Sequence, residues 1–70
     1  MKINNTKMFG EIVRDRRKKL DFTQKYICEV SGISASYISD LENGKAAIEL
    51  GKAIQLANLL GIDIELNERG

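Results

Sequence analysis

Two short helical segments, placed end to end around a glycine, constrain the fold of this 70-residue chain more than any other feature. Thr23 and Ser34 are residue types that cap helix N-termini, because their side-chain oxygen can accept a hydrogen bond from a backbone N–H that the helix leaves free. Gly32 closes the first segment, and Asn43 and Gly44 close the second. Two helices of about eight to ten residues, joined by a turn of about three to four residues, are typical of a helix-turn-helix unit.

The rest of the chain predicts a compact all-α domain around this unit. Apolar residues recur at the helical period on either side of it, and Gly61 follows the last such segment. Beyond Gly61, apolar and acidic residues alternate, which is typical of a half-buried β-strand. We predict one domain over 1–70, with helices at about 6–20, 24–31, 35–43 and 50–60 and a strand at about 62–66.

Each predicted helix carries an apolar stripe that we expect to face the core. The stripes are Phe9, Ile12, Val13 and Leu20 in the first helix, Ile27, Cys28 and Val30 in the second, Ile38 and Leu41 in the third, and Ile54, Ala57 and Leu60 in the fourth. For Cys28, close packing between helices is preferred over redox sensing, which requires an exposed and readily ionised thiol.

The composition argues against several classes of protein. The chain has no His and one Cys, so neither a zinc site nor a disulfide can be built within one copy. No apolar run approaches the roughly 18 residues of a membrane span, and the N-terminus lacks a signal peptide. Two Tyr and two Phe offer no platform for stacking RNA bases. We expect a cytoplasmic binding protein with no enzymatic activity, metal or cofactor.

Charge is distributed unevenly, although the formal net charge is only +1. Residues 1–27 hold eight Lys/Arg and three acidic residues, a net charge of +5. Residues 28–70 hold three Lys/Arg and seven acidic residues, a net charge of −4. A solvated helical face would explain a basic run by itself. Together with the helix-turn-helix pattern, the basic half indicates attraction to phosphate.

The motif resembles the Xre-type family of phage-repressor helix-turn-helix proteins. The resemblance extends from Phe9 to Leu60 and rests on Thr23-Gln24, Ile27-Cys28, Gly32-Ile33-Ser34, Ile38 and Leu41-Glu42-Asn43-Gly44-Lys45. It implies a compact helical domain that binds double-stranded DNA and regulates transcription. The residues after Leu60 depart from the family pattern.

A rotation of about 100° per residue sorts the faces of the third helix. If Ile38 and Leu41 face inward, the residues facing outward are Ser36, Ser39, Asp40 and Asn43. The resemblance implies base contacts by Ala35, Ser36, Ser39 and Asp40. It implies phosphate contacts by Gln24, Tyr37, Asn43 and Lys45. The base-contacting side chains are short, and none can pair bidentately with a purine, so we expect modest direct readout.

Arg17 lies on the apolar stripe of the first helix, where an unpaired charge is costly. The resemblance implies that Arg17 forms an ion pair with Glu42, which ties the first helix to the third. We expect this pair to be structural.

The predicted strand indicates a homodimer. A single strand leaves its backbone donors and acceptors unpaired, and no other segment predicts a strand. The same strand of a second copy is the simplest partner. In the resulting antiparallel ribbon, both cores are covered by Ile62, Ile64 and Leu66. The alternative is a tail whose Ile62 and Leu66 pack on their own core.

Further predictions concern DNA and protein partners. Residues 1–6, with Lys2, Asn4 and Asn5, suit an arm that contacts DNA, although terminal disorder explains them equally. A dimer is expected to bind a pseudo-palindromic operator, most simply as a repressor. Compact Xre-type proteins that end in a strand also resemble HipB-like antitoxins, which repress their own operon and bind a kinase-type toxin. The acidic second half of the chain suits a basic partner.

Overall fold

The computed structural model describes residues 2–70, and four α-helices form within them. Their bounds are Thr6–Lys19 for α1, Gln24–Ser31 for α2, Ala35–Glu42 for α3 and Leu50–Leu59 for α4. The predicted all-α fold class is confirmed. Helix α2 has the predicted bounds. The other three helices end one residue earlier than predicted, because Leu20, Asn43 and Leu60 are their C-caps.

Side-chain caps start three of the helices. In each case, a side-chain oxygen before the helix accepts from the backbone N–H three residues later, a donor that the helix itself leaves free. The pairs are Asn5 with Met8 at 2.9 Å, Thr23 with Tyr26 at 3.0 Å, and Ser34 with Tyr37 at 3.1 Å. Asn5 therefore caps α1, and the DNA-contacting arm stays a prediction. Met1, also part of the predicted arm, lies outside the described residues.

Residues in the left-handed backbone region end α1 and α4. Gly61 has a φ of 71°, and the backbone N–H of the next residue donates back into the last turn of α4, which is a Schellman turn. Asp21 has a φ of 60° and ends α1 with the same hydrogen-bond pattern. A side chain is strained in this conformation, so α1 is ended less favourably than α4.

The core lies where the four helices meet the turn between α2 and α3. Its fully enclosed apolar side chains are Val13, Ile27, Ile33, Ile38, Leu41, Ala53, Leu56, Ala57 and Leu60. Cys28 is half-buried and packs against this core, as predicted.

Two residues that were expected to face the core do not. Val30 is 50% exposed and Ile54 is 39% exposed, so these predictions are wrong. In α4, Ala53 and Leu56 are buried where the sequence predicted Ile54. The apolar residues of α4 extend around more than one side of the helix, and docking against the other helices determines which of them become buried.

Residues 62–70 form no strand in the single chain, and the strand predicted at 62–66, which needs a second copy, stays a prediction. Ile62 is half-buried and packs against the core. Ile64 is 41% exposed and Leu66 is 95% exposed, so Leu66 does not pack on its own core. A strand is defined by pairing with another strand, and residues 2–70 of one copy contain no other strand to pair with.

Among residues 2–70, no helix has the length and apolar character needed to cross a membrane. The same residues contain no group of three or more His, Cys, Asp and Glu side chains that could hold a metal ion.

Candidate nucleic-acid interface

The turn between α2 and α3 is fixed by hydrogen bonds of Ser31 and by the backbone of Gly32. The hydroxyl of Ser31 donates to the carbonyl oxygen of Ile27 at 2.6 Å and accepts from the backbone N–H of Ile33 at 3.0 Å. Gly32 has a φ of 75°, which favours glycine over any residue with a side chain. Ile33 is 3% exposed and anchors the turn in the core. The start of α3 is therefore held in a fixed position relative to α2.

Helix α3 has one buried side and one solvent side, as the sequence predicts. Ile38 and Leu41 are completely enclosed. The predicted base-contacting residues lie on the other side: Ala35 and Ser36 are exposed, and Ser39 and Asp40 are partly exposed. At about 100° per residue, these four positions fall within about 140° of one another around the helix axis. The structure thus brings them together on one surface.

A buried ion pair joins the end of α3 to α1. Nε and Nη2 of Arg17 donate to the two carboxylate oxygens of Glu42 at 2.7 and 2.9 Å, and the side chain of Glu42 is 3% exposed. Nη1 of Arg17 donates to the carbonyl oxygen of Phe22 at 2.7 Å. Hydrogen bonding to Glu42 raises the pKa of the Arg17 guanidinium, although burial acts in the opposite direction. The expected pair is present, and it also fixes the loop between α1 and α2.

Gln24, a predicted phosphate contact, belongs to the same hydrogen-bond network. Its Nε2 donates to Oε1 of Glu42 at 3.2 Å. The amide nitrogen carries two N–H groups, so one remains for another acceptor. Gln24 is also the first residue of α2, where free backbone N–H groups and the helix dipole favour an anion. The ion pair therefore orients a donor beside a position that suits a phosphate.

The close approach of α1 to the end of α3 was not found by sequence analysis. Gly10 is buried, and a Cβ at this position would lie 2.1 Å from the carbonyl oxygen of Leu41. A Cβ on Gly44 would lie 2.7 Å from Cα of Lys7, and Oγ1 of Thr6 donates to the carbonyl oxygen of Gly44 at 2.9 Å. The available signal was Gly10 itself, because glycine inside a helix is unfavourable unless packing requires it.

The predicted phosphate contacts Asn43 and Lys45 lie directly after α3. The amide of Asn43 donates to the hydroxyl of Ser39 at 3.4 Å. Nζ of Lys45 lies 3.4 Å from Oδ2 of Asp40, and both side chains are largely in solvent. Lys45 therefore offsets a carboxylate that would otherwise repel phosphate. Because an exposed pair of this kind contributes little stability, Lys45 can exchange Asp40 for a phosphate at small cost.

Tyr37, also a predicted phosphate contact, is held by the segment before α4. Its hydroxyl donates to the carbonyl oxygen of Glu49 at 2.5 Å, and Nζ of Lys52 lies 5.7 Å from the ring centroid. Burial raises the pKa of Tyr37, and the charge of Glu49 adds to the increase. The phenol proton is therefore engaged by the segment before α4, and the phosphate contact of Tyr37 stays a prediction.

Comparisons with known proteins identify relatives over most of the chain. The family model for the helix-turn-helix domain matches residues 13–67. The uncharacterized HTH-type transcriptional regulator y4mF of Sinorhizobium fredii (strain NBRC 101917 / NGR234) is 35% identical over 57 residues, which are 81% of this chain and 75% of that protein. The ImmF control region 10 kDa protein of Bacillus phage phi105 is 28% identical over 60 residues, which are 86% of this chain and 67% of that protein.

Solved structures of HipB share the fold. One contains HipB in complex with an O4 20mer, and another is a HipA-HipB-O2-O3 complex. Each matches this chain with a TM-score of 0.88 at 20% identity, covering 100% of this chain and 99% of that chain. At this identity the likeness shows the fold alone.

Proposed function

Because the chain belongs to the helix-turn-helix family of DNA-binding transcriptional regulators, we propose that it is a dimeric repressor that binds double-stranded DNA sequence-specifically. Its target is a pseudo-palindromic operator, and α3 of each copy enters the major groove. The regulator acts in the cytoplasm and has no catalytic role.

The solvent side of α3 is the observation that supports this proposal most directly. Because the opposite side is held by Ile38 and Leu41, the outer positions cannot rotate away from a bound duplex. The hydroxyls of Ser36 and Ser39 can donate to or accept from base edges. The carboxylate of Asp40 can accept from the N4 amine of cytosine. Ala35 adds a methyl group that can contact thymine.

Three side chains around α3 supply the contacts that position the protein without reading sequence. Gln24 stands at the start of α2, and Asn43 and Lys45 follow the end of α3. Contacts of this kind go to phosphate oxygens and fix the register of the helix on the duplex. With four short base-contacting residues per copy, specificity also depends on the spacing of the two half-sites and on DNA shape.

A dimer is proposed because one copy of α3 reads only one half-site. The tail offers a route to dimerisation, since Ile64 is 41% exposed and Leu66 is 95% exposed in the single chain. Antiparallel pairing of residues 62–66 from two copies would satisfy their backbone groups and bring Ile62, Ile64 and Leu66 of both copies to one face. Analytical ultracentrifugation of the full chain and of Ile64→Asp tests this route.

Selection of bound duplexes from a random pool is the experiment that tests the proposal. We expect a two-fold symmetric consensus whose half-sites are separated by about 10 base pairs, or about 34 Å. A salt titration on the selected duplex should give a linear fall of log K with log salt, with a slope of about −0.9 per phosphate neutralised. No enrichment, or a consensus without symmetry, would contradict the dimeric repressor.

Substitutions separate base contacts from phosphate contacts. Ser36→Ala and Ser39→Ala should change the selected consensus, because they remove groups that reach base edges. Lys45→Ala should weaken all duplexes alike and reduce the salt slope by about 0.9. Lys52→Ala is the matched control, because Lys52 forms an equally long and similarly exposed ion pair with Glu49. An unchanged consensus in both serine variants would show that the assigned surface is wrong.

A second function, as an antitoxin that represses its own operon and binds a kinase-type toxin, is favoured by one observation. The fold matches HipB over the whole chain, including HipB in its complex with HipA. The three acidic residues of the tail add a charge that suits a basic partner. Copurification of the chain with the product of an adjacent kinase-like gene would support this function. A locus without such a gene would contradict it.

A further inference from the structure

Most of the basic residues of the chain lie outside the contacts with DNA proposed above. Residues 1–27 carry a net charge of +5, and those contacts take only the uncharged Gln24 from them. Two of the basic residues are occupied within the fold. Nε of Arg16 donates to the carbonyl oxygen of Leu60 at 2.8 Å, and Arg17 forms the buried ion pair. Basic side chains without such a role are candidates for contact with another molecule.

Three cations share one side of α1. At about 100° per residue, Lys7, Arg14 and Lys18 fall within about 40° of one another around the helix axis. All three are exposed, and within residues 2–70 none of them forms an ion pair with a carboxylate. We call these three residues the basic face of α1. Its cations are available to an anion outside the chain.

The basic face begins beside the residues that follow α3. A Cβ on Gly44 would lie 2.7 Å from Cα and 3.1 Å from Cβ of Lys7. Gly44 stands between Asn43 and Lys45, two of the proposed phosphate contacts. Because a lysine has a long and flexible stem, Nζ of Lys7 can reach the same stretch of DNA backbone as Lys45.

The basic face ends beside Gln24, the third proposed phosphate contact. Nη2 of Arg17 and Nε2 of Gln24 donate to the same oxygen, Oε1 of Glu42. Lys18 directly follows Arg17 in the chain. The rise from Lys7 to Lys18 is about 16.5 Å, at about 1.5 Å per residue. The basic face thus runs along α1 between the two places assigned to phosphate.

The basic face points away from the tail. Phe9 and Ile12 line an open groove beside residues 62–69, and both lie about 140–160° around the axis from Lys7. Gly10, which packs against the end of α3, lies only about 60° from Lys7. Because α3 lies at the edge of the domain that meets DNA, the side of α1 beyond α3 is turned toward the duplex. A second copy held at the tail leaves this side uncovered.

We infer that the basic face of α1 binds DNA phosphates. Lys7 takes a phosphate next to the one assigned to Lys45. Arg14 and Lys18 take phosphates farther along the backbone, toward the start of α2. The inference rests on the proposed binding of α3 in the major groove and extends the contacts to α1. These contacts add affinity through the release of counterions and read no sequence.

Salt titrations on the selected duplex test the inference. Each of Lys7→Gln, Arg14→Gln and Lys18→Gln should reduce the salt slope by about 0.9 for each bound copy and leave the consensus unchanged. Lys19→Gln is the matched control, because Lys19 is exposed in the same turn as Lys18 but lies about 100–140° from the basic face. Its slope should equal that of the wild type. Equal slopes for Lys18→Gln and Lys19→Gln, or a wild-type slope for Lys7→Gln, would overturn the inference.

Neutral phosphates locate the contact of Lys7 on the duplex. Methylphosphonate groups, which lack the charge, replace the phosphates one at a time, and the loss of affinity is measured for the wild type and for Lys7→Gln. One position should weaken the wild type but not Lys7→Gln, and it should adjoin the position whose effect disappears in Lys45→Ala. If every replaced position weakens the wild type and Lys7→Gln alike, Lys7 contacts no phosphate and the inference is wrong.

Glu11→Gln provides a test of opposite sign. Glu11 lies about 40° from Lys7 around the axis, and its carboxylate repels phosphate from the basic face. The substitution should therefore raise the affinity for the selected duplex. An affinity at or below that of the wild type would count against the basic face as a phosphate contact.

The salt titrations also separate this inference from the proposed function. If Lys45→Ala reduces the salt slope while the three variants of the basic face keep it, α1 takes no part in binding and the proposed repressor stands. If the wild type selects no duplex from the random pool, the proposed repressor and the inference about α1 are both overturned.

Discussion

Replacing Arg17 with methionine should leave a buried carboxylate without its cation. The side chain of Glu42 is 3% exposed and accepts two hydrogen bonds from Arg17 and one from Gln24. In Arg17→Met, both bonds from the guanidinium are lost, and only the Gln24 bond, at 3.2 Å, remains. The hydrogen bond to the carbonyl oxygen of Phe22 is lost as well, so the loop after α1 also loses an anchor.

The expected loss is large relative to the stability of so small a domain. Breaking one side of a buried ion pair costs about 3–5 kcal/mol. At about 0.05–0.15 kcal/mol per residue, a chain of 70 residues is stable by about 3.5–10.5 kcal/mol. Arg17→Met is therefore expected to lose roughly a third of this stability or more. The double variant with Glu42→Leu removes both charges, and we expect it to recover most of the loss.

Urea unfolding followed by far-UV circular dichroism measures the free energy of unfolding of the wild type, both single variants and the double variant. Together these values form a double-mutant cycle that isolates the pairwise term. Arg14→Met is the matched control, because Arg14 is exposed on the same helix, and its effect should be within about 0.5 kcal/mol. A loss below about 1 kcal/mol in Arg17→Met, or additive effects in the double variant, would refute the reasoning.

The same unfolding assay checks three further predictions. Gly10→Ala should lower the free energy of unfolding by about 1–3 kcal/mol or more, because the added Cβ meets a backbone oxygen. Gly32→Ala has open space around the added Cβ, so it should lower the free energy of unfolding only by the backbone strain, about 1–2 kcal/mol. Asp21→Gly should gain roughly 1 kcal/mol by relieving a φ of 60°, and no gain would show that the Asp21 side chain compensates. Because the pKa of Tyr37 is raised in the folded state, the contribution of Tyr37 to the free energy of unfolding is complete below about pH 10.0. This contribution is lost as the pH rises through the pKa of Tyr37 in the folded state. In Tyr37→Phe, the fall in the free energy of unfolding at alkaline pH should be smaller by this contribution. An unchanged pH profile would contradict the role given to Tyr37.

Local signals explain why the helices could be predicted from sequence. The caps at Thr23 and Ser34 act within three residues, and the turn at Gly61 acts within the last turn of α4. Helix bounds consequently fall within one residue of the prediction. The solvent side of α3 followed from the same kind of evidence, because the spacing of Ile38 and Leu41 indicates which side of the helix is buried.

Contacts between distant segments are what the sequence could not predict. Val30 and Ile54 have the spacing of core residues, but their burial depends on how α2 and α4 dock. Tyr37 meets Glu49, which lies 12 residues away, and no local rule predicts that hydrogen bond. Gly10 is required by the carbonyl oxygen of Leu41, which sequence periodicity cannot place. A strand at 62–66 needs a second chain, so one chain cannot display it.

The clamp formed by Thr6, Gly10 and Gly44 holds α3 through its backbone, and the ion pair holds it through a buried carboxylate. Neither restraint uses the outward side chains at positions 35 and 36. Substitutions at these two positions should therefore change the free energy of unfolding very little. A duplicated gene could consequently acquire a new set of target promoters through one or two codon changes, without first passing through an unstable ancestor.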